Sequence, residues 1–168
     1  MPFSVRATTE DDWANYRDIR IEMLTDSPDA FFTTLADVVD RGEAFWRERV
    51  SGASSFTVAA VDTDDDRWLG VMTGVIASVM TDAPESAVPQ LVGVYVRPEA
   101  RGAGVADALL EAIESWARVR GDALHLEVHD GNSRAVAFYA RRGFELTGRS
   151  TPHPRRPGAE VEMRRVLR

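Results

Sequence analysis

Between Ala106 and Ala117 the chain repeats apolar residues at Ala106, Leu109, Leu110, Ile113 and Ala117, with Asp107, Glu111, Glu114 and Arg118 on the intervening positions. That rhythm predicts an amphipathic helix over 104–120, its apolar stripe on a core and its charges in water. Trp13, Tyr16, Ile19 and Leu24 follow near-helical spacing after Thr9, with Glu10, Asp11 and Asp12 in the first turn, where the positive end of a helix dipole favours acids. Ser27-Pro28-Asp29 breaks that helix. A further helical pattern runs through Phe45, Trp46 and Val50 and stops at Ser51-Gly52, and a short one, SRAVAFYARR, leaves at Gly143-Phe144.

Elsewhere the pattern shifts to alternation or to short apolar runs rich in β-branched residues. These predict strands in FSVRATT (3–9), FTVAAV (56–61), WLGVMTGVIASVM (68–80), AVPQLVGVYV (87–96), ALHLEVHD (123–130) and AEVEMRRVL (159–167). DTDDD reads as a hairpin turn, Pro98 stops the fourth strand because it cannot donate to a ladder, and STPHPRRPG (150–158) reads as a loop. Two strands flank the helix over 104–120, so they form a parallel pair in an otherwise hairpin-connected sheet. The fold class is α/β (α+β): a mixed, mostly antiparallel sheet with helices on its faces. The 168 residues are expected to form a single domain, 1–168.

Composition narrows the chemistry. There is no cysteine, which removes thiolate nucleophiles, disulfides and cysteine-rich zinc sites, and the three histidines have no recognised ligand spacing, so no metal is expected. All 20 basic residues are arginine, which excludes a P-loop lysine and any Schiff-base lysine. A net charge of −7 argues against a nucleic-acid partner. No apolar run is long enough for a bilayer and no signal peptide is evident, so the expected location is cytoplasmic.

One turn stands out. Arg101-Gly102-Ala103-Gly104 precedes the amphipathic helix, so unpaired amides and the positive end of its dipole converge where glycine permits close approach. Such a turn suits an anion, above all a diphosphate. A dinucleotide GxGxxG fingerprint would need glycine at 107, which is Asp107. A merely structural tight turn is the other alternative.

With its surroundings, VYVRPEARGAGVADALL followed by ALHLEVHDGNSRAVAFYARRGFE, the segment resembles the GNAT superfamily of acetyl-CoA-dependent N-acetyltransferases. The family signature is present as Arg101-Gly102-Ala103-Gly104-Val105-Ala106, and Asn132, Tyr139 and Gly143-Phe144 occupy family places downstream. The motifs cover roughly Leu91 to Leu146. The resemblance implies a GNAT-like sheet with its parallel pair around the cofactor, backbone groups of Val94 and Val96 pairing with the pantetheine arm beside a bulge at Gly93, and amides from Arg101 through Asp107 holding the diphosphate. Asn132 would bind near the pantetheine or thioester. It also allows for a homodimer.

Acetyl transfer requires an unprotonated amine, a stabilised oxyanion and a proton for the departing thiolate. A phenol near ~10 and a thiol near ~8.5 are matched closely enough to share that proton, and Tyr139 holds the family position of the general acid. Its alternative is a packed core tyrosine. Glu127 lies on the strand face opposite Leu124, Leu126 and Val128 and resembles the base of the ribosomal-protein N-terminal acetyltransferases; a solvated or arginine-paired glutamate is the alternative. His153, in the loop that borders the family's acceptor site, is a further candidate base, with a surface histidine as the favoured alternative. Phe31, Phe32, Trp46, Glu22, Asp26 and Asp29 lie in the region that walls the family's acceptor cleft and suggest a cationic amine with apolar surface. The reading is therefore an acyltransferase moving acetyl from acetyl-CoA to a primary amine of a small molecule or protein N-terminus in a ternary complex. A non-catalytic acyl-CoA-binding module and, further off, a nicotinamide-dependent oxidoreductase are the competing classes.

Overall fold

A computed structural model describes residues 1–78 and 87–168; Val79 and Met80, assigned above to a strand, lie outside the described residues. The strands are β1 (Phe3–Ala7), β2 (Ser55–Asp62), β3 (Trp68–Ser78), β4 (Ala87–Val96), β5 (Ala123–His129), β6 (Glu145–Pro152) and β7 (Ala159–Val166). They form a seven-stranded sheet in the order β1-β2-β3-β4-β5-β7-β6. Every neighbouring pair is antiparallel except β4 and β5. The helices are α1 (Trp13–Asp26), α2 (Leu35–Val38), α3 (Glu43–Ser51), α4 (Val105–Arg118) and α5 (Ser133–Arg141). Among the described residues no helix is long and apolar enough to cross a membrane.

The strand period sorts side chains into two cores. In β2, Val58 and Ala60 join the cluster under α4 and α5 with Leu109, Ile113 and Tyr139, while Ala59 and Val61 join α1 and α3 through Ile19, Met23 and Trp46. Helices therefore cover both faces, as the alternation predicts. Trp116 of α4 stacks on Phe56 at 5.9 Å and lies over Gly74, where an added Cβ would come within 2.6 Å of the ring.

Three local readings change. The acids Glu10–Asp12 form a 3₁₀ turn before α1, with Asp12 accepting from the Thr9 amide at 2.8 Å in a capping box. Ser150–Pro152, read as loop, ends the edge strand β6; every residue of β6 is exposed, so no apolar alternation marks it, and its ladder shifts register between Leu146 and Ser150. Glu114, assigned to the solvent side of α4, is 5% exposed and pairs with Arg165 of β7 and with Arg118. Its position borders the sheet, so an arginine from the adjacent strand takes the place of water.

Gly74→Ala is expected to cost roughly 1–3 kcal/mol by overpacking, read as a lower urea midpoint at unchanged m-value. The cost should shrink in a Trp116→Ala background; an undiminished cost would clear the indole of responsibility.

Candidate active site

The site begins where two strands part. β4 and β5 pair only at Gln90↔His125 and Leu91↔Leu126, although both continue, to Val96 and His129. Between β3 and β4 the step from Val71 to Thr73 matches the longer step from Tyr95 back to Val92, which marks a bulge. Gly93 sits inside it at φ 59°, in the left-handed region that glycine enters without strain. The bulge bends β4 away from β5, as the sequence suggested. Past it the Arg97 amide donates to Leu69 of β3 at 2.9 Å, so by strand alternation Val96 and Val94 aim their backbone groups into the opening. The Val96 carbonyl there accepts from Arg101 Nε at 2.9 Å.

Beyond β4 the turn Arg101–Gly104 leads into α4. Gly102 and Gly104 have φ of 80° and 82°, and a Cβ at either would meet nothing within 4 Å, so the turn faces open space. The Arg101 amide donates to Pro98 at 3.3 Å and is removed from the expected set of anion donors. The amides of Gly102, Ala103, Gly104, Val105, Ala106 and Asp107 have no intrahelical acceptor, as at any helix start. The Asp107 carboxylate pairs with Arg142 at the end of α5, which ties the two helices together beside the turn.

A cavity of about 1070 Å³ runs from the opening to the face of α1 and α3. Val94, Glu127, Asn132 and Tyr139 all line it, so residues scattered through the sequence meet in one place. Tyr139 is 6% exposed, its ring held edge-on by Phe138 and Phe144 at 5.3 and 5.5 Å. Burial pushes its phenol pKa well up, so the hydroxyl keeps its proton at neutral pH. Asn132 caps α5, its Oδ1 accepting from the Ala135 amide at 3.2 Å.

Glu127 is half-buried. Burial foremost, then Glu160 and Glu162, raise its pKa, against an opposing hydrogen bond from Gln90. The register explains this, since Glu162 lies directly across β7 from Glu127, and Glu160 across from His129. Among the described residues no arginine pairs with Glu127, which sets aside the arginine-paired alternative and leaves the solvated one. Burial in turn lowers the His125 pKa, partly offset by Glu162, whose Oε1 lies 3.6 Å from Nδ1.

Several sequence expectations move. Glu22 pairs with Arg97 at 2.9 Å and Asp26 with Arg101 at 3.3 Å, and neither lines the cavity. His153 is 7% exposed, stacked on Phe32 at 5.8 Å and edge-on to His129 at 5.5 Å. Arg155 holds the loop over it, donating to the Phe32 carbonyl at 2.7 Å and to that of Phe31. Sequence reasoning missed Arg20, Arg156 and Glu160, which all line the cavity. Arg20 had a signal, being a charge placed four residues after Tyr16 and three before Met23 on the apolar stripe.

The family model described as Acetyltransferase (GNAT) family matches residues 13–144. The chain belongs to the GNAT family. As a GNAT protein it is an acyltransferase, and its mixed sheet with one parallel pair is the GNAT fold. It is 26% identical over 148 residues to the L-amino acid N-acetyltransferase AaaT of Escherichia coli (strain K12), covering 84% of this chain and 85% of that protein. Among solved structures, a GCN5-related N-acetyltransferase from Kribbella flavida superposes with a TM-score of 0.74 at 24% identity, covering 98% of both chains. Arabidopsis thaliana NAA60 in complex with acetyl-CoA superposes with a TM-score of 0.72 at 16% identity, covering 99% of both chains.

Because the Glu127 pKa is raised, the folded GNAT domain retains a proton that the unfolded chain releases near the ordinary value of 4.5. Stability attributable to this group therefore falls as pH climbs from 4.5 through the raised value. Glu127→Gln is expected to flatten that fall in urea midpoints measured from pH 4.5 to 7.5; parallel profiles would show that the carboxyl carries no such strain.

Proposed function

We propose that the protein is an N-acetyltransferase that passes acetyl from acetyl-CoA to a primary amine of a small molecule or a protein N-terminus, by direct attack in a ternary complex. The observation that carries this reading is that β4 and β5 part around a cavity lined by Val94, Glu127, Asn132 and Tyr139, while the open glycine turn that follows β4 leads into α4 outside that lining. The outward backbone groups of Val94 and Val96 would extend the pantetheine arm as an added strand. Amides from Gly102 through Asp107 would hold the diphosphate, joined by the positive end of α4. Asn132, its Oδ1 engaged in the cap, retains its side-chain NH₂ as a donor toward the pantetheine or thioester.

In this mechanism the amine nitrogen attacks the thioester carbonyl and an N–C bond forms while the C–S bond breaks. Glu127 takes the proton that the amine must lose, directly or through water, and its raised pKa suits it to hold that proton briefly near neutral pH. Tyr139 gives its hydroxyl proton to the departing thiolate. Burial holds that proton on the phenol until the thiolate forms beside it. A backbone amide at the Gly93 bulge would stabilise the oxyanion. The name of the Escherichia coli relative supports a compact amine acceptor.

Calorimetry with acetyl-CoA and a thiol-release assay over amine acceptors test this reading. Ala103→Glu, at an exposed turn position that needs no positive φ, should weaken acetyl-CoA binding by charge repulsion, and unchanged affinity in the folded variant would unseat the diphosphate assignment. Tyr139→Phe should lower turnover by about 10²–10⁴-fold while acetyl-CoA affinity is retained; full turnover would remove the phenol from the chemistry.

A further inference from the structure

Several arginines around the N-terminal helices have a carboxylate partner: Arg6 with Asp12, Arg47 with Glu43, Arg97 with Glu22 and Arg101 with Asp26. Arg41 and Arg49 have none among the described residues but are exposed to water and lie over the Phe45 ring, whereas Arg20 has none and is buried. It projects from the buried face of α1 and is 7% exposed, and among the described residues its one hydrogen bond runs from Nη1 to the Met23 sulfur at 3.9 Å. No carboxylate among the described residues acts on it; burial foremost lowers its pKa, Tyr16 opposes that shift, and Arg49 adds to it by repulsion. A buried charge without a counter-charge is destabilising, and a leucine or methionine would fill the same space on α1 without that penalty. The two acids that follow on α1 are committed elsewhere by the ion pairs above. The fold thus keeps a guanidinium desolvated and unneutralised.

Its position identifies what neutralises it. Arg20 lines the cavity, and its Nη1 lies 3.2 Å from where a Cβ on Gly93 would stand, so it meets the strand at the bulge. Arg156 lines the same cavity, and its buried Nε has no hydrogen-bond partner among the described residues. Glu127 and Glu160 belong to the strand side of that cavity. One enclosure therefore gathers both signs of charge, Arg20, Arg49 and Arg156 with Glu48, Glu127 and Glu160. That pairing complements a molecule bearing both an anion and an ammonium group, and it opposes the cationic, acid-lined acceptor site suggested by Glu22 and Asp26.

We propose that Arg20, assisted by Arg156, binds a carboxylate carried by the acceptor on the carbon next to its amine, so that the acceptors are free α-amino acids. This inference rests on the acetyltransferase reading of the cavity and deepens it. A planar guanidinium takes a carboxylate through two parallel hydrogen bonds and fixes its orientation. With a single carbon between the two groups, a carboxylate on Arg20 brings the amine to the bulge, where the thioester carbonyl would lie. An amine lacking the carboxylate would leave Arg20 buried and uncompensated, and the site would discriminate against it.

The test needs no variant at first. Thiol release from acetyl-CoA is measured with the free amino acids, and each accepted one is compared with its carboxamide and its decarboxylated amine. Preference for the free acid by roughly 100-fold in kcat/KM, the scale of a lost charge-assisted hydrogen bond, is the expected result. Equal use of the three forms, or turnover confined to polyamines or peptide N-termini, overturns the inference while leaving the enzyme an acetyltransferase. Arg20→Gln should raise KM for the free acid about 10- to 100-fold while acetyl-CoA affinity is retained, so that the preference for the acid over its carboxamide narrows, and Arg20→Lys should restore part of the loss. A variant that instead loses acetyl-CoA affinity at unchanged acceptor KM assigns Arg20 to the cofactor and overturns the anchor. Failure of the wild-type protein to bind acetyl-CoA at all is the distinguishable failure of the underlying reading, and it removes this inference with it.

Discussion

The parting of β4 from β5 is the constraint on which the rest of the molecule depends. A parallel pair held by only two residue matches leaves backbone groups of both strands without ladder partners, and buried backbone groups must find others, as the Val96 carbonyl does in Arg101. Gly93 makes the parting possible because a bulge at φ 59° bends the strand at little cost. The helices α4 and α5 then hold the two halves of the sheet together from one face while α1 and α3 cover the other. What in a closed sheet would be a ladder becomes a slot with walls on both sides.

The slot also organises the electrostatics. β7 returns beside β5 and sets Glu162 across from Glu127 and Glu160 across from His129, so carboxylates accumulate on one side. α1 supplies Arg20 to the same cavity, from the opposite layer of the fold. Glu127 and Arg20 are both perturbed mainly by loss of water, the acid toward neutrality and the base likewise. A ligand that supplies the missing counter-charges relieves both at once, which is how a site converts the cost of burial into selectivity.

Much of this could be read from the residues because the relevant signals are local. β4 ends as Pro98 and the apolar run require, α4 follows its stripe to within a residue or two at each end, and the bulge falls on the glycine inside an otherwise apolar strand. What escaped notice depends on pairing between distant segments. β6 has no buried face and hence no alternation; Glu114 is buried only because Arg165 arrives from the last strand; His153 is covered only because Phe32 and Arg155 meet above it. Glu22 and Asp26 looked available to a ligand since nothing in their own helix reveals that Arg97 and Arg101 will reach them. Arg20 is the exception, a charge on an apolar stripe that local spacing alone could have marked.

The clasp formed by Arg155 on the carbonyls of Phe31 and Phe32 joins the first helical layer to the loop between the final two strands, segments more than 120 positions apart. None of its members belongs to the glycine turn or to the parted strands. Changes in that loop would remodel the roof over the incoming amine while the donor half stayed as it is. Diversification of such proteins toward new acceptors has, in this clasp, a hinge plate that can be exchanged without rebuilding the door.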